Sequence, residues 1–167
     1  MTTGFDRHPV QAWVKAGLDR VAGALLLALA APALGGIALW ILVESGRPVL
    51  FVHPRAGKDG VPFRMFKFRT MVPNAVELGR KLRLSEDPFG LVPRDPRITR
   101  GGRFLRRTGL DELPQLLNVV RGEMSVVGPR PDLVEQAANY TDEDRRRLLV
   151  KPGITGWSQV HGREDMT

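Results

Sequence analysis

A chain of 167 residues with a formal net charge of +7 is one domain by length, and its basic excess asks for an anionic partner: nucleic acid, or lipid and phosphate. Cysteine is absent, which excludes a disulfide framework and a thiolate zinc site and fits a reducing compartment. Hydrophobic residues make up 43% of the chain, enough for a core, but many belong to one uncharged N-terminal stretch, so the domain that follows is small.

Residues 1–20 read as an interfacial lead-in. Trp13, Val14, Gly17, Leu18 and Val21 recur at helical spacing, with Lys15 and Arg20 on other faces, which suits a headgroup zone. The stretch over 21–43, Val21 to Val43, then holds no charged residue. At about 1.5 Å per residue it is long enough to cross a hydrocarbon core roughly 30 Å thick. Pro32 sits in its middle, where a proline removes a backbone hydrogen bond and crowds the preceding turn. Lys15 and Arg20 precede the stretch; Arg47, Arg55, Lys58, Arg64, Lys67 and Arg69 follow it. Basic residues on both flanks conflict with a simple span, because such residues favour the cytoplasmic side. The expectation is therefore a re-entrant helix–break–helix, kinked at Pro32, that penetrates one leaflet. A cleaved signal peptide is disfavoured, since its apolar region runs to only about 7–15 residues.

Residues 44–167 read as a small polar domain. Pro48 to Val52 is a short β-prone run, and His53 to Gly60 a turn-rich loop. Phe63 to Met71 alternates partly between apolar and basic residues, as a strand or hairpin arm with one wet, positive face. Lys67 and Arg69 share a side of it, an arrangement that favours phosphate. Asn74 to Leu84 is a loosely periodic helix, Asp87 to Arg97 a proline-rich loop, and Gly101 to Arg107 a helix with a basic surface. The fold class is α+β, mainly helical with a short β-hairpin.

The chemistry centres on Thr108 to Val120. Leu113, Leu116, Leu117 and Val120 fall on one helical face, and Pro114 is tolerable only in a first turn. The helix is expected to start near Asp111 and end at Gly122. An N-cap carboxylate there accepts backbone hydrogen bonds and meets the positive end of the dipole, so Asp111 is expected to stay ionised. A lone Asp in this place is most simply a cap. Glu112 follows directly, however, and adjacent helix-start carboxylates can hold one hard cation such as Mg²⁺. Ser125 to Pro131 forms a rigid turn that projects Arg130, whose guanidinium suits phosphate. Helices are expected over Asp132 to Tyr140 and from Thr141 to Val150, the second with a solvated run at Arg145, Arg146 and Arg147. Lys151 to Trp157 reads as a glycine-rich turn able to expose amides, a hydroxyl and an indole.

Five pieces occur in one order: the proline-broken apolar stretch, KFRTM at 67–71, LDELPQLLNV at 110–119, GEMSVVGPRP at 122–131 and KPGITGWSQVHGR at 151–163. Together they resemble the bacterial sugar transferases, the small monotopic phosphoglycosyl transferases. That resemblance implies a re-entrant helix broken at Pro32. It implies Asp111 and Glu112 as the catalytic pair, with Asp111 attacking the β-phosphate of a UDP-sugar. UMP leaves, and polyprenol (undecaprenyl) phosphate takes the phosphosugar from the aspartyl intermediate. It further implies Mg²⁺ held by Asp111 and Glu112, with Lys67, Arg106, Arg130 and Arg163 near the phosphates; Arg69, Thr155 and Gly156 lie in the matching motifs and are added as candidate substrate contacts. The implied location is the cytoplasmic face of a bacterial inner membrane. Ala31 stands where members often carry Ser, and His161 where most carry Asn. The chain is expected to lack the family's C-terminal segment, as only Glu164 to Thr167 follow the last motif. A non-catalytic membrane scaffold in polysaccharide assembly is the alternative. Nucleic acid is not expected as a partner, because stacking platforms, a zinc pattern and a recognition helix are missing.

Overall fold

The computed structural model describes residues 9–82 and 95–157. It is mainly helical, with two short strand pairs and one long apolar N-terminal helix. That helix, α1, covers Pro9–Ser45 without interruption, and Pro32 lies inside it. The expected lead-in, from residue 9 on, and the expected helix–break–helix are thus one element. The alanine- and leucine-rich sequence on both sides of Pro32 is strongly helix-forming, and exposed Pro32 does not end the run. Ala16, Asp19, Gly23, Leu27, Ala30, Leu34, Ile37, Ile41 and Ser45 are buried or half-buried. They recur every three or four residues, so one stripe faces the domain along nearly the whole helix and stays in phase through Pro32. Leu25, Leu29, Leu39 and Val43 on the other faces are exposed. The helix is long and apolar enough to cross a membrane.

The stripe is fixed at both ends. Near the N-terminus, Asp19 accepts hydrogen bonds from Ser125 Oγ and from the Val126 amide. Gly23 packs against Val119, leaving no space for a side chain: a Cβ there would sit 2.8 Å from Val119 Cγ1. At the C-terminus, Arg69 Nη2 donates to Ser45 O, Ser45 Oγ and Gly46 O, each at 2.8 Å, a cation on carbonyls that lack helical partners. The Glu44 carboxylate accepts from the Gly101 amide at 2.9 Å. That amide belongs to the first turn of α3 (Arg100–Thr108), so an acid on one helix caps the next.

Strands β1 (Leu50–Ala56) and β2 (Pro62–Phe68) form an antiparallel pair with Leu50 opposite Phe68 and Ala56 opposite Pro62. The strand continues through His53 and Pro54, where the sequence suggested a loop; a two-stranded ribbon has free edges where proline is tolerated. The reversal uses a 3-10 turn at Lys58–Gly60, with Asp59 and Gly60 at φ of 57° and 75°. The expected wet, positive face on β2 is not found: Lys67 and Arg69 are both buried, each claimed by a specific acceptor.

Helix α2 (Ala75–Lys81) is shorter than expected, and residues 83–94, which hold the rest of that span and most of the proline-rich loop, lie outside the described residues. Helix α3 is capped by Thr99, whose Oγ1 accepts from the Gly102 amide at 2.8 Å, and it stops at Gly109 with φ 73°. A 3-10 segment, Leu110–Gln115, leads into α4 (Leu116–Arg121), which Gly122 ends. Beyond α4, β3 (Ser125–Val127) pairs in parallel with β4 (Gly153–Thr155). The latter replaces the open turn expected there. Gly153 permits the pairing, since a Cβ on it would lie 2.1 Å from the Gly128 amide nitrogen. The two helices expected over 132–150 shrink to α5 (Val134–Ala138) and a 3-10 run, Asp144–Leu149. Neither has a buried residue to stabilise a longer helix.

Two cores result. Ile37 and Ile41 of α1 bury with Phe68 and Leu105, flanked by Leu34, Leu110 and Leu113. Phe63, Met65, Val119 and Met124 form the second. Asn118, fully buried, joins α4 to β2: it accepts from the Phe66 amide at 3.1 Å and donates to Arg64 O at 2.8 Å and Glu123 at 2.7 Å. Its side-chain amide thus serves the open edge of β2 as a further strand would.

Candidate active site

Gly109 turns the chain sharply out of α3, and Leu110 and Leu113 pack into the first core. Between them stand Asp111 and Glu112, on a 3-10 turn rather than at the start of an α-helix. Pro114, with φ fixed by its ring, fits this tight segment. Gly109 is the residue in the cap position, and no side chain caps the segment, so Asp111 is not the expected N-cap.

Asp111 is buried. Burial pushes its carboxyl above the ordinary range; Lys67 and Arg106 pull it down, and Glu112 adds to the rise. The helix-start dipole expected to act on Asp111 is missing, and desolvation outweighs the neighbouring cations in setting the direction of its shift. Lys67, from the end of β2, donates to Glu112 Oε1 at 3.0 Å, with only 8% of its side chain exposed. Burial lowers its ammonium below the ordinary lysine value, against the attraction of Glu112. Arg130, just beyond β3, reaches the same Glu112 oxygen at 3.5 Å and leaves 41% of its side chain exposed. Arg106 of α3 donates through Nε to Thr70 Oγ1 at 2.8 Å, and its charge acts on Asp111.

Glu112 borders two spaces. On one side a narrow polar crevice is lined by Arg55, Lys67, Gln115 and Arg130. On the other a cavity of about 600 Å³ is lined by Leu26, Leu29 and Ala30 of α1 together with Leu113, Leu116, Ile154 and Thr155. Two cations therefore converge on one carboxylate that borders both a polar crevice and an apolar cavity walled by α1.

Lys67, Asp111, Glu112 and Arg130 come together, with Arg106 alongside. Thr155 lines the apolar cavity, and Gly156 is buried at the end of β4. Arg69 is placed differently, on the C-terminal carbonyls of α1. Arg163 and His161 lie outside the described residues. Sequence reasoning missed Thr70, which fixes Arg106, and Asn118, which fixes β2. The readable signal for Asn118 was an amide inside an otherwise apolar helix. It also missed Arg55, buried in the crevice wall with Nη1 3.5 Å from Pro131 O. Among the described residues no group of three or more His, Cys, Asp or Glu side chains is placed to share a metal.

Residues 10–167 match the sequence profile of the bacterial sugar transferases. The chain is 42% identical over 163 residues to an undecaprenyl-phosphate galactose phosphotransferase of Salmonella typhimurium, covering 92% of this chain and 34% of that protein. It is 42% identical over 152 residues to UDP-glucose:undecaprenyl-phosphate glucose-1-phosphate transferase of Escherichia coli, covering 89% and 31%. A UDP-N-acetylgalactosamine-undecaprenyl-phosphate N-acetylgalactosaminephosphotransferase of Aeromonas hydrophila is 38% identical over 158 residues, covering 92% and 36%. The chain spans about a third of the length of these relatives. By this match over nearly all its length, the chain belongs to the bacterial sugar transferase family.

Proposed function

We propose that the chain is a phosphoglycosyl transferase that moves a sugar-1-phosphate from a UDP-sugar to polyprenol phosphate at the cytoplasmic face of a bacterial inner membrane. The observation that carries this reading is Glu112 at the border of the cationic crevice and the apolar cavity, with buried Asp111 beside it. The positive charge of Lys67 and Arg130 at the crevice suits phosphate groups at its mouth. The cavity, continuous with the apolar face of α1, suits the first isoprene units of the acceptor.

An Asp111 carboxylate oxygen attacks the β-phosphorus, the bond to the bridging oxygen breaks, and UMP departs with the electron pair. A phosphate oxygen of the acceptor then attacks the same phosphorus and frees Asp111. Burial withholds water from the carboxylate, while Lys67, Arg106 and Arg130 supply positive charge against the anionic phosphates. Glu112 accepts a proton from the acceptor phosphate, and its ion pairs with Lys67 and Arg130 support a role in orienting both. Asp111 and Glu112 are a donor set that fits Mg²⁺, which commonly takes one or two carboxylates and completes its shell with phosphate and water. When bound, the ion supplies further charge neutralisation.

Contacts from Asp19 to Glu44 favour placement in one leaflet. Both ends of α1 rest on the same small domain, and a straight span would put them on opposite sides of the bilayer.

The test is UMP release from a panel of UDP-sugars before any lipid is added. Wild type should release one UMP per chain, and Asp111→Asn none. Undiminished release by Asp111→Asn would sink the nucleophile assignment.

A further inference from the structure

A second cavity, of about 360 Å³, lies where the first turns of α1 meet β3 and Lys151, apart from the crevice and cavity bordered by Glu112. Lys15, Lys58 and Lys151 line it, together with the apolar surfaces of Ala12, Ala16 and Leu149. Lys15 is held by Asp19 at 2.8 Å and by Ser125 Oγ at 2.5 Å. Lys58 and Lys151 have no ion-pair partner among the described residues. Arg20 adds a further positive charge: Lys151 feels Arg20, Lys58 and Lys15 against the single carboxylate of Asp19. Burial and these like charges hold the Lys151 ammonium below its ordinary value, so an anion seated among them would relieve an existing repulsion. The same turns of α1 expose Val10, Trp13 and Val14.

We propose that this cavity is a binding site for an anionic phospholipid, its phosphodiester between Lys58 and Lys151 and one acyl chain along Ala12, Ala16 and Leu149. Charge complementarity selects the headgroup, and apolar walls continuous with the exposed apolar face of α1 select a lipid over a soluble anion. The assignment rests on the membrane placement of α1 proposed above. It gives the membrane a direct hold on β3, the strand that leads to Arg130.

The experiment is thermal unfolding of the full chain in a neutral detergent, titrated with dioctanoyl phosphatidylglycerol, dioctanoyl phosphatidylcholine, inorganic phosphate or UDP. Phosphatidylglycerol should raise the melting temperature saturably, and the other three should not act through Lys58 and Lys151. Lys58→Gln and Lys151→Gln should each weaken the apparent affinity about fivefold, the effect of one basic residue near an anionic lipid. Arg145→Gln, on an exposed turn, should leave it unchanged. Equal shifts with both lipids, or a double variant with wild-type affinity, would overturn the site. Inorganic phosphate matching phosphatidylglycerol would make it a free-anion site instead, and a UDP shift lost in the double variant would make it a nucleotide site. UMP release measured on the same preparation keeps the outcomes separate: lipid binding without release refutes only the proposed reaction, and release without lipid binding refutes only this site.

Discussion

Asn118→Ala isolates the coupling between the carboxylate segment and the strand that carries Lys67. Asn118 is fully buried, and its amide satisfies the Phe66 N–H and the Arg64 carbonyl on the edge of β2 turned away from β1. Removing it orphans one backbone donor and one acceptor, each worth about 1–3 kcal/mol. The third partner, Glu123, is half-buried and can turn to water, so it adds little. The sum is about 4 kcal/mol. In a protein of this size each kcal/mol moves the melting temperature by about 2–4 °C, so the variant should melt about 8–16 °C lower. Asn118→Asp keeps the acceptor for Phe66 but turns a buried carboxylate oxygen toward Arg64 O and Glu123, and should melt lower still. Intrinsic tryptophan fluorescence in a fixed detergent reads the transition. A drop below about 2 °C for Asn118→Ala would refute the argument, because water or a backbone shift would then be satisfying β2. UMP release should fall in the same order, since Lys67 directly follows Phe66, whose amide Asn118 holds.

Three further outcomes follow from the geometry. The folded state holds the Asp111 proton more tightly than the unfolded chain, so Asp111 lowers stability as pH rises through its elevated native value and continues to do so at neutral pH. Asp111→Asn should therefore melt above wild type at pH 7 while losing UMP release, with the gap closing in acid; a lower melting temperature at pH 7 would contradict the burial argument. Gly102→Ala would put a Cβ 2.1 Å from Thr70 O, so α3 must move away from the strand exit. That strain, about 1–3 kcal/mol, should separate Arg106 from Thr70 and raise KM for the UDP-sugar more than it lowers stability; an unchanged KM would count against a positioning role for Thr70. Gly23→Leu should force α1 off α4 and lower the melting temperature by several degrees, and an unaltered transition would mean that α1 does not lie against Val119.

The elements set by local rules were legible in the sequence. The apolar run of α1, the Gly122 stop and the pairing of two carboxylates on one turn all follow from periodicity and from glycine or proline chemistry. What was not legible depends on neighbours distant in the chain. Lys67 and Arg69 alternate as a solvated strand face does, yet Glu112 and the C-terminus of α1 bury them. The parallel pairing of β3 and β4 is invisible in two three-residue segments. The local setting of Asp111 was misread because a helix-start rule was applied to a residue on a 3-10 turn whose desolvation comes from packing. Pro32 was taken for a break, although a helix flanked by good helix formers and resting on a continuous partner surface can carry it.

The burial of Ile37 and Ile41 beside Phe68 and Leu105 has a consequence for how such a chain comes into being. Helix α1 supplies half of a core whose other half is translated later. Residues from β1 onward therefore cannot complete that core before α1 lies beside them. Helix α1 must be in place and present its stripe as a template on which that core condenses. Exchanging α1 for an unrelated helix of equal length and hydrophobicity should disrupt that core.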